Sequence, residues 1–410
     1  MLATLIPIFD NETSVCAYAV SAQKADIFKN PLLGSTASLD GITNVAGFEV
    51  VNSIGIAGIL GNKDVYVPVN SYAIYTDIRE QCSIPYKNVV LVFDKSLEPT
   101  DENIARIAEL KSQGFKIAVK NIPVASFAAY QKLFKISDDF FLDYKEVSMT
   151  TAVKFFGQYF PNVRICAENI NSQEDFDELS KEGESNLYEG SFFRMPVTAS
   201  QTQLAPMKVT YIELLNIING PDFDLTDVAK VVERDPALVV SLLEIVNHMS
   251  RNSEITSVKH AAAMLGQVEL KKWINTAVTK ELCSDKPSEI MRISMMRAKF
   301  AENLAAKFEM ELQAQELFLM GLFSVLDIML SKSMEESLEL VKVSKNVENA
   351  LLKEEGPFAP ILSFVKEYED ANWTEVSRRL IVDGLKEKEI YGLYLETLEW
   401  YRDIFPEKKK

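Results

Sequence analysis

Residues 89–119 read VVLVFDKSLEPTDENIARIAELKSQGFKIAV, and the order of patterns in this stretch decides the first half of the fold. It opens on Val89, Val90, Leu91, Val92 and Phe93, an apolar and largely β-branched run that suits a strand buried on both faces. Residues 101–113 then take a helical period. Ile104, Ile107, Ala108 and Leu110 line one face, and Gly114 stands just beyond the end as a stop. A second short apolar run, residues 115–119, closes a strand–helix–strand unit.

The same unit recurs outward. Residues 65–69, 140–144 and 163–167 are further short β-branched and aromatic runs between helix-like segments, which implies a mainly parallel sheet. Repeated over the first 200 residues, the pattern predicts a small, modified (β/α) barrel of the TIM type. The character changes at residues 196–206 (PVTASQTQLAP), which are polar, small and bounded by proline, as an interdomain connection should be. Beyond Met207 nearly every segment has helical period. Residues 211–219 stop at Gly220-Pro221, Thr226 can cap residues 227–233, and Asp235-Pro236 starts the run ALVVSLLEIVNHM. Ser257 can cap a helix that ends at Gly266, and Ile293, Met296, Phe300, Leu304 and Phe308 form a helical stripe.

A chain of 410 residues exceeds what one core organises, so two domains are expected: a barrel over 1–200 and a helical domain over 201–410, with its core at about 207–330. The net charge of −16 opposes nucleic acid and anionic lipid as partners. The one basic run, Lys408, Lys409 and Lys410, reads as a solvated end. With no basic leader and no apolar stretch of spanning length, the chain reads as soluble and cytoplasmic, with no membrane partner. Cys16, Cys82, Cys166 and Cys283 lack metal spacing and suit reduced, buried thiols. No phosphate-binding loop, dinucleotide fingerprint, HExxH or nucleophile elbow is present.

In the second half, RDPAL at 234–238, LEIVN at 243–247, ITSV at 255–258 and AAAMLG at 261–266 resemble the HDOD domain pattern in type, order and spacing, over roughly 207–327. In the first half, AENINSQEDFDELSKEG at 167–183 and LYEGSFFRMP at 187–196 resemble the closing strands of an EAL domain, and residues 89–119 are similar to the middle of that domain in fused EAL and HDOD proteins. The resemblance implies bacterial signal transduction, with a modified TIM barrel joined to an all-helical HDOD bundle.

EAL phosphodiesterases cleave cyclic di-GMP with two divalent metals held by a ring of carboxylates. Matched position by position, the resemblance puts Ala19 where the signature glutamate belongs, Val92 at the next glutamate, and Lys120 and Asn121 at the paired aspartates. Phe141 replaces the lysine that assists the attacking water, Asn171 a later glutamate, and Glu189 the glutamine of the last strand. Asn70, Asp143 and Glu168 are kept, as hydrogen-bonding supports at strand ends or as residual ligand-binding groups. In the HDOD half, Ser324 and Val325 stand where the related metallohydrolases carry a His-Asp pair, and the chain's two histidines, His248 and His260, fall on separate helices. No metal and no cofactor is therefore expected. The chain reads as a non-enzymatic signalling scaffold for a protein partner whose identity the sequence does not give. The alternative is a cyclic di-GMP receptor or phosphodiesterase using the barrel.

Overall fold

A computed structural model describes residues 2–23, 45, 47–54, 63–182, 185–197, 204–220, 223–249 and 255–404. The Lys408–Lys410 tail, Pro221 and residues 198–203 of the expected connection lie outside the described residues. The chain divides into two compact units, Met1–Met195 with Ser363–Lys410, and Pro196–Leu362.

The first unit is built on a closed barrel of eight strands in sequence order. These are β1 (Ala3–Phe9), β2 (Val15–Ala22), β3 (Asp64–Pro68), β4 (Val89–Phe93), β5 (Lys116–Lys120), β6 (Asp139–Asp143), β7 (Arg164–Ile170) and β8 (Leu187–Gly190). Strands β2 to β8 are parallel, whereas β1 runs antiparallel to both of its neighbours. All five residues of β4 are buried, as a strand enclosed on both faces requires. The helices between strands are α1 (Phe48–Ile54), α2 (Ile78–Gln81), α3 (Asp101–Ser112), α4 (Phe127–Ile136), α5 (Met149–Tyr159) and α6 (Gln173–Glu182). At the start of α3 the Thr100 side chain accepts from the Asn103 amide, and Asp101 and Glu102 face the positive helix end. Gly114, just past that helix, has φ +107, a conformation that glycine adopts freely.

Ile8, Ala17, Tyr66, Val90, Val92, Ala118, Phe141, Cys166 and Leu187 fill the barrel as one buried cluster, with Ala19 packed against it. At the end where the parallel strands begin, a charged network closes the interior. The fully buried Asp139 takes Arg164 Nε at 2.7 Å, Arg164 Nη2 at 3.0 Å and the Tyr66 hydroxyl at 2.9 Å. Lys116 Nζ donates to Asp64 at 2.7 Å, and Arg164 Nη2 reaches the same aspartate at 3.4 Å. Burial raises the Asp139 pKa, while Arg164 and Tyr66 pull it back.

The second unit is all-helical. It comprises α7 (Pro206–Ile218), α8 (Leu225–Val232), α9 (Pro236–Met249), α10 (Val258–Leu282), α11 (Ser288–Leu304), α12 (Ala314–Phe323), α13 (Leu326–Leu330), α14 (Met334–Leu340) and α15 (Lys345–Lys353). Ser257 caps α10, and Asp235 Oδ1 accepts from the Ala237 amide at the head of α9. The cap of α8 is Asp224 rather than Thr226. Gly266, at φ +74 and ψ 169, is non-helical, so the helix that Ser257 caps stops there as expected and a second helical segment runs on to Leu282. The helical stripe stops at Leu304, beyond which residues to Phe308 tighten into a 3₁₀ turn. Gly321 lets α12 lie directly on α11, since a Cβ there would fall 2.4 Å from backbone atoms of Arg297 and Ala298.

Where the sequence reading assigned 201–410 to one helical domain, the described packing divides differently. From Ser363 the chain, in α16 (Ala359–Glu369), α17 (Trp373–Val382) and α18 (Glu387–Ile404), belongs with the barrel. The reason lies in buried polar contacts to β1: the Tyr394 hydroxyl shares a 2.8 Å hydrogen bond with Thr4 Oγ1, and the Tyr368 hydroxyl donates to the Ala3 carbonyl at 3.2 Å. Gln23 Nε2 also donates to Ser377 Oγ, and the Arg194 guanidinium bridges Glu369 and Asp370. Among the described residues no helix is long and apolar enough to cross a membrane.

Candidate functional site at the carboxyl ends of the barrel strands

In a strand, alternate side chains share a face. Counting in twos from the buried cluster, Lys120 follows Ala118 on β5, Asp143 follows Phe141 on β6, Glu168 follows Cys166 on β7, and Glu189 follows Leu187 on β8. These groups stand at the ends where parallel strands finish, the end of such barrels that carries sites. Three of them meet. Lys120 Nζ donates to Glu168 Oε1, and Glu189 is coupled electrostatically to both. The Lys120 ammonium also lies 5.5 Å from the centroid of the Phe141 ring. The Lys120 side chain keeps 35% of its exposure, whereas that of Glu168 keeps 3%.

The charges are strongly coupled. Burial opposes the Lys120 charge, but Glu168 and Glu189 overcome it and hold the lysine above its ordinary pKa. Burial pushes the Glu189 carboxyl up to about 7; Lys120 works against that rise and Glu168 adds to it. Cys166, fully buried beneath them, is raised well above a thiol's usual value by burial and by the two glutamates.

The other positions do different work. Asn70 Oδ1 accepts from the Tyr72 and Ala73 amides at 2.9 and 2.8 Å, turning the chain after β3. Asp143 accepts from Asn169 Nδ2 at 2.6 Å and from the Lys145 amide at 2.9 Å. Asn171 Oδ1 accepts from Ser191 Oγ at 3.1 Å, and Asn121 takes a left-handed φ of 56. Ala19 and Val92 line the interior with no donor or acceptor on their side chains. In the helical unit, Ser324 Oγ donates to the Gly321 carbonyl at 2.7 Å and accepts from Arg297 Nη1 at 3.1 Å, while Val325 is buried. His248 and His260 are exposed on α9 and α10. Sequence reasoning missed the Asp139–Arg164–Tyr66 network, whose members are far apart in the chain; an aspartate heading an apolar strand was the available signal.

The metal pair implied by the sequence resemblance needs several oxygen donors around each ion. The residues present do not fit it. Among the described residues no group of three or more His, Cys, Asp or Glu is arranged to hold a metal, and the Lys120 ammonium already pairs with Glu168.

A family model described as the HDOD domain matches residues 204–355. The helical unit carries an HDOD domain. A curated relative from Vibrio cholerae, named cyclic di-GMP phosphodiesterase CdgJ, is 27% identical over 331 residues, covering 78% of this chain and 75% of its own. YuxH of Bacillus subtilis, an uncharacterized protein, is 26% identical over 98% of each chain. Among solved structures, a standalone versatile EAL protein from Vibrio cholerae in its c-di-GMP-bound form matches 47% of this chain and 90% of that one, at 16% identity and a TM-score of 0.35, a likeness too weak to bear on the site. A barrel followed by an HDOD domain is the arrangement of the EAL–HDOD fusions that the sequence resembles, and the family match and CdgJ support it. One expectation is corrected. The chain was read as no enzyme, but a relative sharing three-quarters of its length is named a phosphodiesterase, so that exclusion does not stand.

Proposed function

We propose that this protein works in cyclic di-GMP signalling, and that its barrel takes the dinucleotide at the carboxyl ends of β2 to β8. The observation that carries this reading is the Lys120–Glu168–Glu189 cluster at that end of the barrel, in a chain related to CdgJ over most of its length. A cyclic dinucleotide presents two phosphodiester anions and two purines, and an ammonium on a strand end supplies a charge-assisted donor for one of the anions. The protein partner expected from the sequence has no comparable support in the site.

Isothermal titration of the full chain with cyclic di-GMP, with and without magnesium or manganese, tests the reading. Saturable heat is the expected result, and no heat under any of these conditions overturns it. Chromatography of the same samples for linear dinucleotide reads hydrolysis, the activity in CdgJ's name.

A further inference from the structure

We infer that Lys120 is the anchor for a phosphodiester group of the ligand, and that ligand binding at this barrel needs no divalent metal. The inference rests on the cyclic di-GMP reading above and assigns the charge that holds the anion.

The barrel lacks a metal-binding carboxylate set among its described residues, so the attraction for an anion has to come from the chain itself. Lys120 meets the requirement in three ways. It ends β5 on the interior face, level with Phe141 of β6, and its ammonium is held over that ring at 5.5 Å. Its side chain as a whole is one-third exposed. An ammonium has three N–H donors, and the hydrogen bond to Glu168 uses one, which leaves donors for phosphate oxygens without breaking the buried pair.

The two glutamates then act as more than structure. Glu168, nearly fully buried, fixes the lysine by a contact that a ligand does not displace, because uncovering a buried carboxylate is costly. Glu189, coupled to Lys120 and Glu168, adds to the negative charge around the ammonium. Glu168 already balances the ammonium's charge, so Lys120 serves a phosphodiester oxygen as a charge-assisted hydrogen-bond donor rather than as an unpaired counter-charge. Two divalent ions, by contrast, would stand close to that lysine and be repelled by it.

The test uses the full chain and cyclic di-GMP in EDTA, then in magnesium or manganese, followed by two variants. The affinity of the unaltered chain in EDTA is expected to lie within about twofold of that in either metal. Lys120→Met is expected to weaken binding by about tenfold or more, through loss of a charge-assisted contact. Because that change strands a buried carboxylate, Lys120→Met with Glu168→Gln, which removes both charges, is measured beside it and is expected to bind equally weakly. Affinity lost in EDTA, or kept in either folded variant, overturns the Lys120 assignment while leaving the cyclic di-GMP reading in place. Absence of heat from the unaltered chain in every buffer overturns both.

Discussion

Replacing Glu189 by glutamine isolates the proton that the barrel cluster holds. The ordinary glutamate value is 4.5, and in the folded barrel burial carries Glu189 to about 7. Below about pH 4.5 both folded and unfolded chains keep this proton. As pH rises toward 7 the unfolded chain releases it first, so the folded state loses ground, and above about pH 7 the loss is complete. At about 1.4 kcal/mol per pH unit, the interval amounts to about 3 kcal/mol at most. Glutamine keeps the shape without titrating. Urea unfolding in a Trp273→Phe background, followed by the fluorescence of Trp373 and Trp400, reports on the barrel unit. Glu189→Gln is expected to change stability little near pH 5 and to raise it, relative to the parent, by up to about 3 kcal/mol near pH 7.5. An equal difference between the two proteins at both pH values would refute the coupling of Glu189 to burial and to its neighbours.

Arg164→Met should destabilise the barrel by roughly 3–5 kcal/mol in the same unfolding assay, because it leaves the buried Asp139 charge unpaired. Arg164→Met combined with Asp139→Asn should recover much of that loss. Gly321→Ala should cost the HDOD unit about 1–3 kcal/mol, read as a lower calorimetric melting temperature, since the new methyl meets backbone at 2.4 Å. Ending the chain after Leu362 should leave the barrel unit unable to fold, judged by loss of soluble protein and of amide protection in β1, whereas residues 196–362 expressed alone should keep a cooperative melt.

Period is what the sequence states most clearly, and it was enough to place β3 to β7. Ala19, Val92, Lys120, Phe141, Glu168 and Glu189 were singled out through the EAL resemblance, and they fall on interior strand faces, because a period of two leaves each residue one of two directions. Ser257 and Asp235 were equally legible, since a cap acts within a few residues of its own position. Contacts between distant segments were not. DFFLD at 139–143 reads as an apolar strand with polar ends, and nothing in it announces that Asp139 meets Arg164 and Tyr66. The reversal of β1 was hidden for a related reason, because the turn at residues 10–14 lacks the Asn-Gly or Asp-Gly pair that marks a tight hairpin. The terminal helices were misassigned because helical period shows that a face is buried without showing against what; Tyr368 and Tyr394 bury theirs on β1. Ala19 and Val92 carry no ligand atom, but that did not justify excluding an enzyme in a chain related to CdgJ.

The interruption of the barrel unit by residues 196–362 imposes an order on the birth of the protein. All eight strands are synthesised before Tyr368 and Tyr394 exist. At roughly 5–20 residues per second, the ribosome spends on the order of ten to thirty seconds between Met195 and Ser363. Throughout that delay the Ala3 carbonyl and the Thr4 hydroxyl lack the partners that will cover them. The HDOD unit, contiguous in the chain, has every contact it needs on hand first. Of the two units, the one that begins earlier in the chain is therefore completed later.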